Sequence, residues 1–288
     1  GIDLTINSTN ITNKNFTWNT SITLSHNKNS VKKLTGEDVQ LWEANFGYSQ
    51  NTHIIGVNQP LGQMYGYVTD GLYQVSDFDY DAATKTYTLK DGVPYAGEKG
   101  NVKPGMWKFK NIDGSKDNKI TEADKTVIGN AYPKIYGGIN NTFTYKDFDL
   151  SIFLTYSIGN DVFNATKLTN TKTALQNKNV LAVADSKHRW VLVNKAGDLI
   201  TDPQEMADIN KGKTVAAIYD NEAGDTYIHS WAVEDGSFLK LSNITLGYTF
   251  PKKMIRKVGL SKLRLYATGS NLLTWTKYSG FDPEVSTM

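Results

Sequence analysis

The stretch YKDFDLSIFLTYS, residues 145–157, decides how this chain is read. From Phe148 onward every second residue is large and apolar: Phe148, Leu150, Ile152, Leu154, Tyr156, then Ile158. The residues between them are Asp149, Ser151, Phe153, Thr155 and Ser157. Side chains alternate across a β-strand, so the run has one oily face and one mostly polar face. The oily face needs a neighbour, either a protein core or lipid.

The same alternation recurs along the chain. Ile2, Leu4 and Ile6 alternate with Asp3, Thr5 and Asn7; Phe16, Trp18, Ile22 and Leu24 alternate with Thr17, Asn19, Thr23 and Ser25. Ile139, Phe143 and Tyr145 lead into the opening run. Ile244, Leu246, Tyr248 and Phe250 share one parity, whereas Leu239 and Leu241 lie on the other, so a bulge is expected near Ser242. Leu263, Leu265 and Ala267 close the series. Strands are therefore predicted near 2–9, 16–26, 135–146, 148–158, 237–250 and 262–273.

The connections between these strands alternate short and long: 10–15, then 27–134, then Lys146-Asp147, then 159–236, then 251–261. Compact soluble domains rarely hold structureless loops beyond about 12–15 residues. Outer-membrane barrels combine tight periplasmic turns, long extracellular loops and strands of about 10 residues with a dyad pattern. The reading taken is therefore all-β, a partial antiparallel transmembrane β-barrel with its oily faces on lipid. A soluble cell-surface glycan-binding β-sandwich with large insertions alternates in the same way, and it stands as the alternative.

Composition agrees with many half-exposed strands: 39% hydrophobic residues, 11% aromatic and a mean hydropathy of −0.43. A net charge of +2 argues against a nucleic-acid partner. Without cysteine there is no disulfide framework and no thiolate metal site. No run approaches the roughly 18 apolar residues of a transmembrane helix. The N-terminal GIDLTINSTN has neither a basic region nor an apolar one of signal-peptide type. Alternation is already under way at Ile2, so that end reads as a cut.

One segment carries ligand chemistry. In NIDGSKDNKITEADKTVIG, residues 111–129, Asp113, Ser115, Asp117, Lys119 (through its backbone carbonyl) and Asp124 fall at positions 1, 3, 5, 7 and 12 of a calcium-type loop. Asn118 stands where such loops turn sharply, and Asn tolerates the left-handed conformation. The shorter Asp124 replaces the usual Glu, and PGMWKFK before the loop reads as strand, so a complete EF-hand is not expected. The same oxygens equally make an Asx-rich surface turn. Residues 76–92 read as an exposed hairpin with Asp77, Asp79 and Asp81 on one parity, and PKKMIRKVGLSK, residues 251–262, as a basic, partly helical turn. The N-x-S/T matches at Asn7, Asn15 and Asn243 carry no weight in strands rich in Asn and Thr. His26, His53, His188 and His229 form no metal motif, and no nucleophile elbow, P-loop or dinucleotide fingerprint is present, so no enzyme is expected.

Three blocks, PLGQMYGYVTDGLYQ (60–74), residues 104–164 from PGMWKFKNIDG to SIGNDVFN, and residues 231–286 from WAVEDGSFLKLSNITLGYTFPKK to FDPEVS, resemble the C-terminal barrel region of SusC/RagA-type TonB-dependent transporters of Bacteroidota. The resemblance implies about six strands of a larger, 22-stranded barrel in the cell outer membrane, a size class known for such transporters. It implies a SusD-like surface lipoprotein as cap, energy from TonB–ExbB–ExbD through a plug absent from this chain, and oligosaccharide or peptide as cargo. No cofactor is required by it; Ca2+ in the 113–124 loop is the one candidate. Six strands cannot close a barrel and open edges are not tolerated in lipid, so the chain, ending at Met288, is expected to be part of a larger protein.

Overall fold

The computed structural model describes residues 1–45, 49–171, 179–219 and 227–284. The parts of the two long connections at 46–48, 172–178 and 220–226 lie outside the described residues. Two compact units emerge. One comprises Gly1–Ser30, Asn130–Val162 and Glu234–Met288; the other comprises Val31–Gly129 and Phe163–Val233.

The first unit is a single six-stranded antiparallel sheet whose strands we number β1 to β6: Ile2–Thr12, Phe16–His26, Ile135–Tyr145, Phe148–Ile158, Phe238–Thr249 and Arg264–Thr276. Their spatial order is their chain order, so each strand pairs with its sequence neighbour in an up-and-down meander. The two-residue turn Lys146-Asp147 holds Lys146 at φ 54°, and opposite residues run in register from Tyr145↔Phe148 to Ile135↔Ile158. Between β1 and β2, Asn13 Oδ1 accepts the N–H groups of Asn15 and Phe16 at 3.1 and 2.9 Å, an Asx turn that closes the hairpin.

Bulges fall where the apolar parity changes. Ser242 is left out of the β4–β5 register, between Phe153↔Asn243 and Leu154↔Leu241. That extra residue returns Leu239 and Leu241 to the face of Ile244 and Leu246. Asn10 does the same in β1, where Thr9↔Asn19 is followed by Ile11↔Trp18. In β6 Asn271 takes a left-handed φ of 52° opposite the bulge of β5.

The second unit differs from its sequence reading as two loops. It holds short strands, among them a four-stranded sheet of Lys125–Asn130, Gln63–Tyr67, Ser49–Gly56 and Val39–Asn45. Its core gathers Tyr67, Leu72, Trp107, Phe109, Ile120, Trp190 and Met206. Strands of two to eight residues are too short for alternation to announce them in sequence. Gly105, at φ 86°, lets Trp190 lie flat on the backbone, since a Cβ there would sit 2.4 Å from the indole. The helix Pro203–Ile209 starts with Asp202 accepting the Glu205 N–H at 2.7 Å. The hairpin expected at 76–92 forms from Phe78–Asp81 and Thr86–Leu89, but it is not exposed throughout: Phe78 and Leu89 are buried with Tyr73 and Val102.

Burial separates the two units. Every buried hydrophobic residue among those described belongs to the second unit except Ile255. The sheet of the first unit has no protein core. No helix among the described residues is long and apolar enough to cross a membrane, which says nothing of spanning strands.

Candidate functional site

Register sorts the side chains of the six strands onto two faces. One face carries Ile2, Leu4 and Ile6 opposite His26, Leu24 and Ile22. In β2, Ile22, Trp18 and Phe16 meet Ile139, Phe143 and Tyr145 of β3, and then come Phe148, Leu150, Ile152 and Leu154 of β4. Leu241, Ile244, Leu246 and Tyr248 of β5 follow, and Leu265, Ala267, Leu273 and Trp275 of β6 complete the face. It is bare of protein: Ile2 is 67% exposed, Leu246 53%, Leu265 59% and Trp275 51%. Covering such an area is worth about 25 cal/mol per Å², so an uncovered face of six strands in water would be strongly unfavourable.

At the short-turn end aromatic rings gather: Phe16 and Trp18 stack on Phe143, with Trp18 at 5.6 Å, and Phe148, Tyr248 and Phe250 form a chain of contacts at 4.7 and 4.9 Å. Between this belt and the aliphatic zone lies one polar row. Ser8 donates to Asn10 at 2.8 Å, Asn10 to Thr20 at 2.6 Å, and Thr20 to Asn141 at 2.7 Å. The Trp18 indole N–H also donates to Asn141, at 3.0 Å. These polar groups satisfy one another, which is the condition for tolerating them in an apolar medium.

The opposite face is built of hydroxyls and amides. Thr9 donates to Asn19 at 2.9 Å, Ser151 to Asn140 at 3.2 Å, Thr155 and Ser242 share a bond at 2.7 Å, and Thr245 and Thr268 one at 3.0 Å. A cradle of about 270 Å³ is lined by Asn7, Thr9, Asn19, Ser21, Asn140 and Thr142. Two ion pairs stand on this face. Arg264 of β6 reaches across β5 to Asp149 of β4, with Nε donating to Oδ1 at 3.0 Å. The pair lies over Gly247, where a Cβ would meet both the guanidinium and the carboxylate within 2.7 Å. Lys240 is held by Glu284 and by Asp282, the latter at 3.5 Å. Neither pair was legible as a pair in sequence; the glycine inside an alternating strand is the one signal for the first.

Adjacent glycines of β3 are covered from opposite sides. Tyr156 lies over Gly137 and donates its hydroxyl to the Thr23 carbonyl at 2.9 Å, while the Phe153 ring lies over Gly138 at 2.8 Å from the position of a Cβ. Phe153, the exception on the polar parity, thus fills a notch that glycine leaves.

The acidic loop is the second candidate. Asp124 is fully buried, and its carboxylate accepts three backbone N–H groups: Ile112 at 2.8 Å and Asp113 at 3.2 Å on Oδ1, and Thr121 at 2.8 Å on Oδ2. Asp113 accepts the Ser115 N–H at 2.7 Å; Ser115 donates its hydroxyl to Asp117 at 2.9 Å, and Asp117 also accepts the Lys119 N–H at 3.0 Å. That N–H, and then the hydroxyl, hold the Asp117 carboxyl below the usual carboxylate range. Asn118 is left-handed, at φ 56°. The structure thus makes Asx turns at Asp113 and Asp117, joined through Ser115, and commits Asp124 to the backbone. Among the described residues no group of three or more His, Asp and Glu is placed to hold a metal ion. In the 76–92 hairpin Asp77 pairs with Lys108 at 3.2 Å and Asp81 caps Ala83 and Thr84.

No family model matches the chain. It is 32% identical to TonB-dependent receptor P3 of Formosa agariphila, over 99% of this chain and 25% of the relative. With TonB-dependent receptor SusC of Bacteroides thetaiotaomicron it shares 27% identity, over 99% of this chain and 24% of SusC. A solved structure of the RagAB peptide transporter superposes with a TM-score of 0.63 at 21% identity, covering 98% of this chain and 26% of that one. The chain is thus related to TonB-dependent receptors, SusC among them, along nearly its whole length, and it spans about a quarter of theirs.

Proposed function

We propose that this chain is a wall segment of a TonB-dependent outer-membrane importer, six strands of a barrel of the 22-stranded class. The observation that carries the proposal is the sheet with one bare apolar face and one hydroxyl–amide face, outside any protein core. Strands of 11 to 13 residues, tilted by about 40°, match an apolar band about 25 Å tall. The apolar face meets lipid, and the polar face lines the lumen or the plug. Both long connections then leave at the extracellular end, and the short turns lie in the periplasm. The intact protein takes up oligosaccharides, working with a SusD-like surface lipoprotein and driven by TonB–ExbB–ExbD; peptide is the other cargo class. Import of this kind needs no catalytic group in the chain. A calcium ion in the 113–124 loop is a secondary proposal. It requires the Asp113 and Asp117 carboxylates to turn from backbone N–H groups towards one point, and calorimetric titration with CaCl2 tests it.

The deciding experiment is on the intact polypeptide carrying the sequence DGSFLKLSNITLGYTF, located by peptide mass spectrometry in outer membranes of the source organism. The expected result is a heat-modifiable band, shifting in mobility on boiling, that co-purifies with a lipoprotein. A polypeptide soluble without detergent would overturn the proposal in favour of a β-sandwich. Growth of a deletion strain on single glycans or on peptides as sole carbon source then assigns the cargo.

A further inference from the structure

The turn joining β5 to β6 combines two features that a merely solvated turn does not need together. Between Phe250 and Leu263 it carries Lys252, Lys253, Arg256, Lys257 and Lys262 and no acidic residue. None of these five makes an ion pair among the described residues. Beside them Met254, Val258 and Leu260 are 57%, 71% and 43% exposed. The turn is nonetheless ordered by its own bonds. Ile255 is buried, Gly259 takes a left-handed φ of 76°, and the Leu260 N–H donates to the Ile255 carbonyl at 3.1 Å. The Phe250 N–H, bonded to the Leu263 carbonyl at 3.0 Å, fastens the turn to the ladder.

Its position supplies the partner. The turn continues directly from the aromatic chain Phe148–Tyr248–Phe250, at the short-turn edge of the apolar face. Aromatic rings of this kind sit at the level of lipid headgroups. The other two short connections add Lys14 and Lys146, so the three connections together hold seven cations against the single acid Asp147. Long basic side chains lay their stems along apolar surface and extend their charges outward. With apolar residues entering the acyl boundary, their charges stand at the depth of phosphates.

We propose that residues 251–262 dock on the headgroups of anionic phospholipid in the leaflet on the short-turn side, Met254, Val258 and Leu260 entering the acyl region and the five cations binding phosphate. The inference rests on the membrane-barrel reading above. The test uses the intact protein in neutral detergent, with native mass spectrometry of bound phosphatidylglycerol and phosphatidylcholine. Each basic residue near such a surface contributes several-fold in affinity, so a preference of about tenfold or more for phosphatidylglycerol is expected. The variant K252Q/K253Q/R256Q/K257Q should lose it while keeping its heat-modifiable band, which shows that it is folded. Met254→Asp with Val258→Asp should weaken both lipids. Soluble glycerol phosphate in excess should not displace the lipid. Equal binding of the two lipids, an unchanged preference in the glutamine variant, or full displacement by glycerol phosphate overturns the docking proposal and leaves the barrel intact. A protein soluble without detergent overturns both.

Discussion

Arginine placed at Ile152 tests the assignment of faces. Ile152 lies near the middle of β4, four residues from Phe148 and six from Ile158. At about 3.3 Å per residue and a tilt of about 40° it stands roughly 10 Å and roughly 15 Å from the levels of the two strand ends, close to the midplane of the apolar band. Its neighbours across the strands are Asn141 and Ile244 on the same face. An arginine on lipid at that depth costs about 2–4 kcal/mol, a factor of about 30 to 700 in the unfolding equilibrium. Thr155→Arg, three residues on and on the polar face, loses the hydroxyl contact with Ser242, worth about 0.5–1.5 kcal/mol, and leaves its charge in water. The assay is urea unfolding of the intact protein in lipid vesicles, followed by tryptophan fluorescence and by the boiled and unboiled gel. Ile152→Arg should fall well below Thr155→Arg. Equal losses, or a greater loss at Thr155, would refute the assignment, because a sheet buried on a protein core punishes charge according to packing rather than depth in a bilayer.

Replacing Asp124 by Ala strands three backbone N–H groups and should cost about 3 kcal/mol or more; hydrogen exchange over 111–124 should accelerate, whereas Asp117→Ala should leave the buried amides protected. Gly247→Val drives a methyl into the Asp149–Arg264 pair and should destabilise by about 1–3 kcal/mol, read in the same urea assay; a neutral result would mean that the pair does not cross the strand. Burial lowers the His53 pKa beneath its ordinary 6.5. Between the two values the unfolded chain holds more protons, so stability contributed there is present above pH 6.5 and is lost as pH falls. Amide exchange over Ser49–Gly56 should therefore loosen on acidification from pH 7.5 to 5.5, and His53→Gln should flatten the response.

Where the chain repeats one rule over ten or more residues, sequence alone located the element. The alternation of Phe148 to Ile158 is a strand, and the parity change at Leu241 marks the bulge at Ser242. The bulge at Asn10 follows the same logic but lies past Asn7, where the apolar alternation fades. The folded character of the long connections was hidden because Trp107, Phe109 and Trp190 come together from segments that each show only a fragment of pattern. Asp124 was ambiguous for a chemical reason. A carboxylate closing a tight loop offers the same oxygens to a cation and to backbone N–H groups, and only coordinates show that three N–H groups have taken them.

The glycine pair of β3 bears on the order in which the sheet assembles. A slip of one residue between β3 and β4 would exchange their faces. A slip of two would press Tyr156 against Ile135 or Ile139 in place of Gly137. Rings seated in paired notches therefore act as a keyway six to nine residues from Lys146-Asp147, and the Tyr156 hydroxyl carries the same alignment on to Thr23 of β2. The contacts of this hairpin are also local in sequence, which favours early formation. β3–β4 is thus the natural template of the sheet, with β2 and β5 added to edges whose register is already decided.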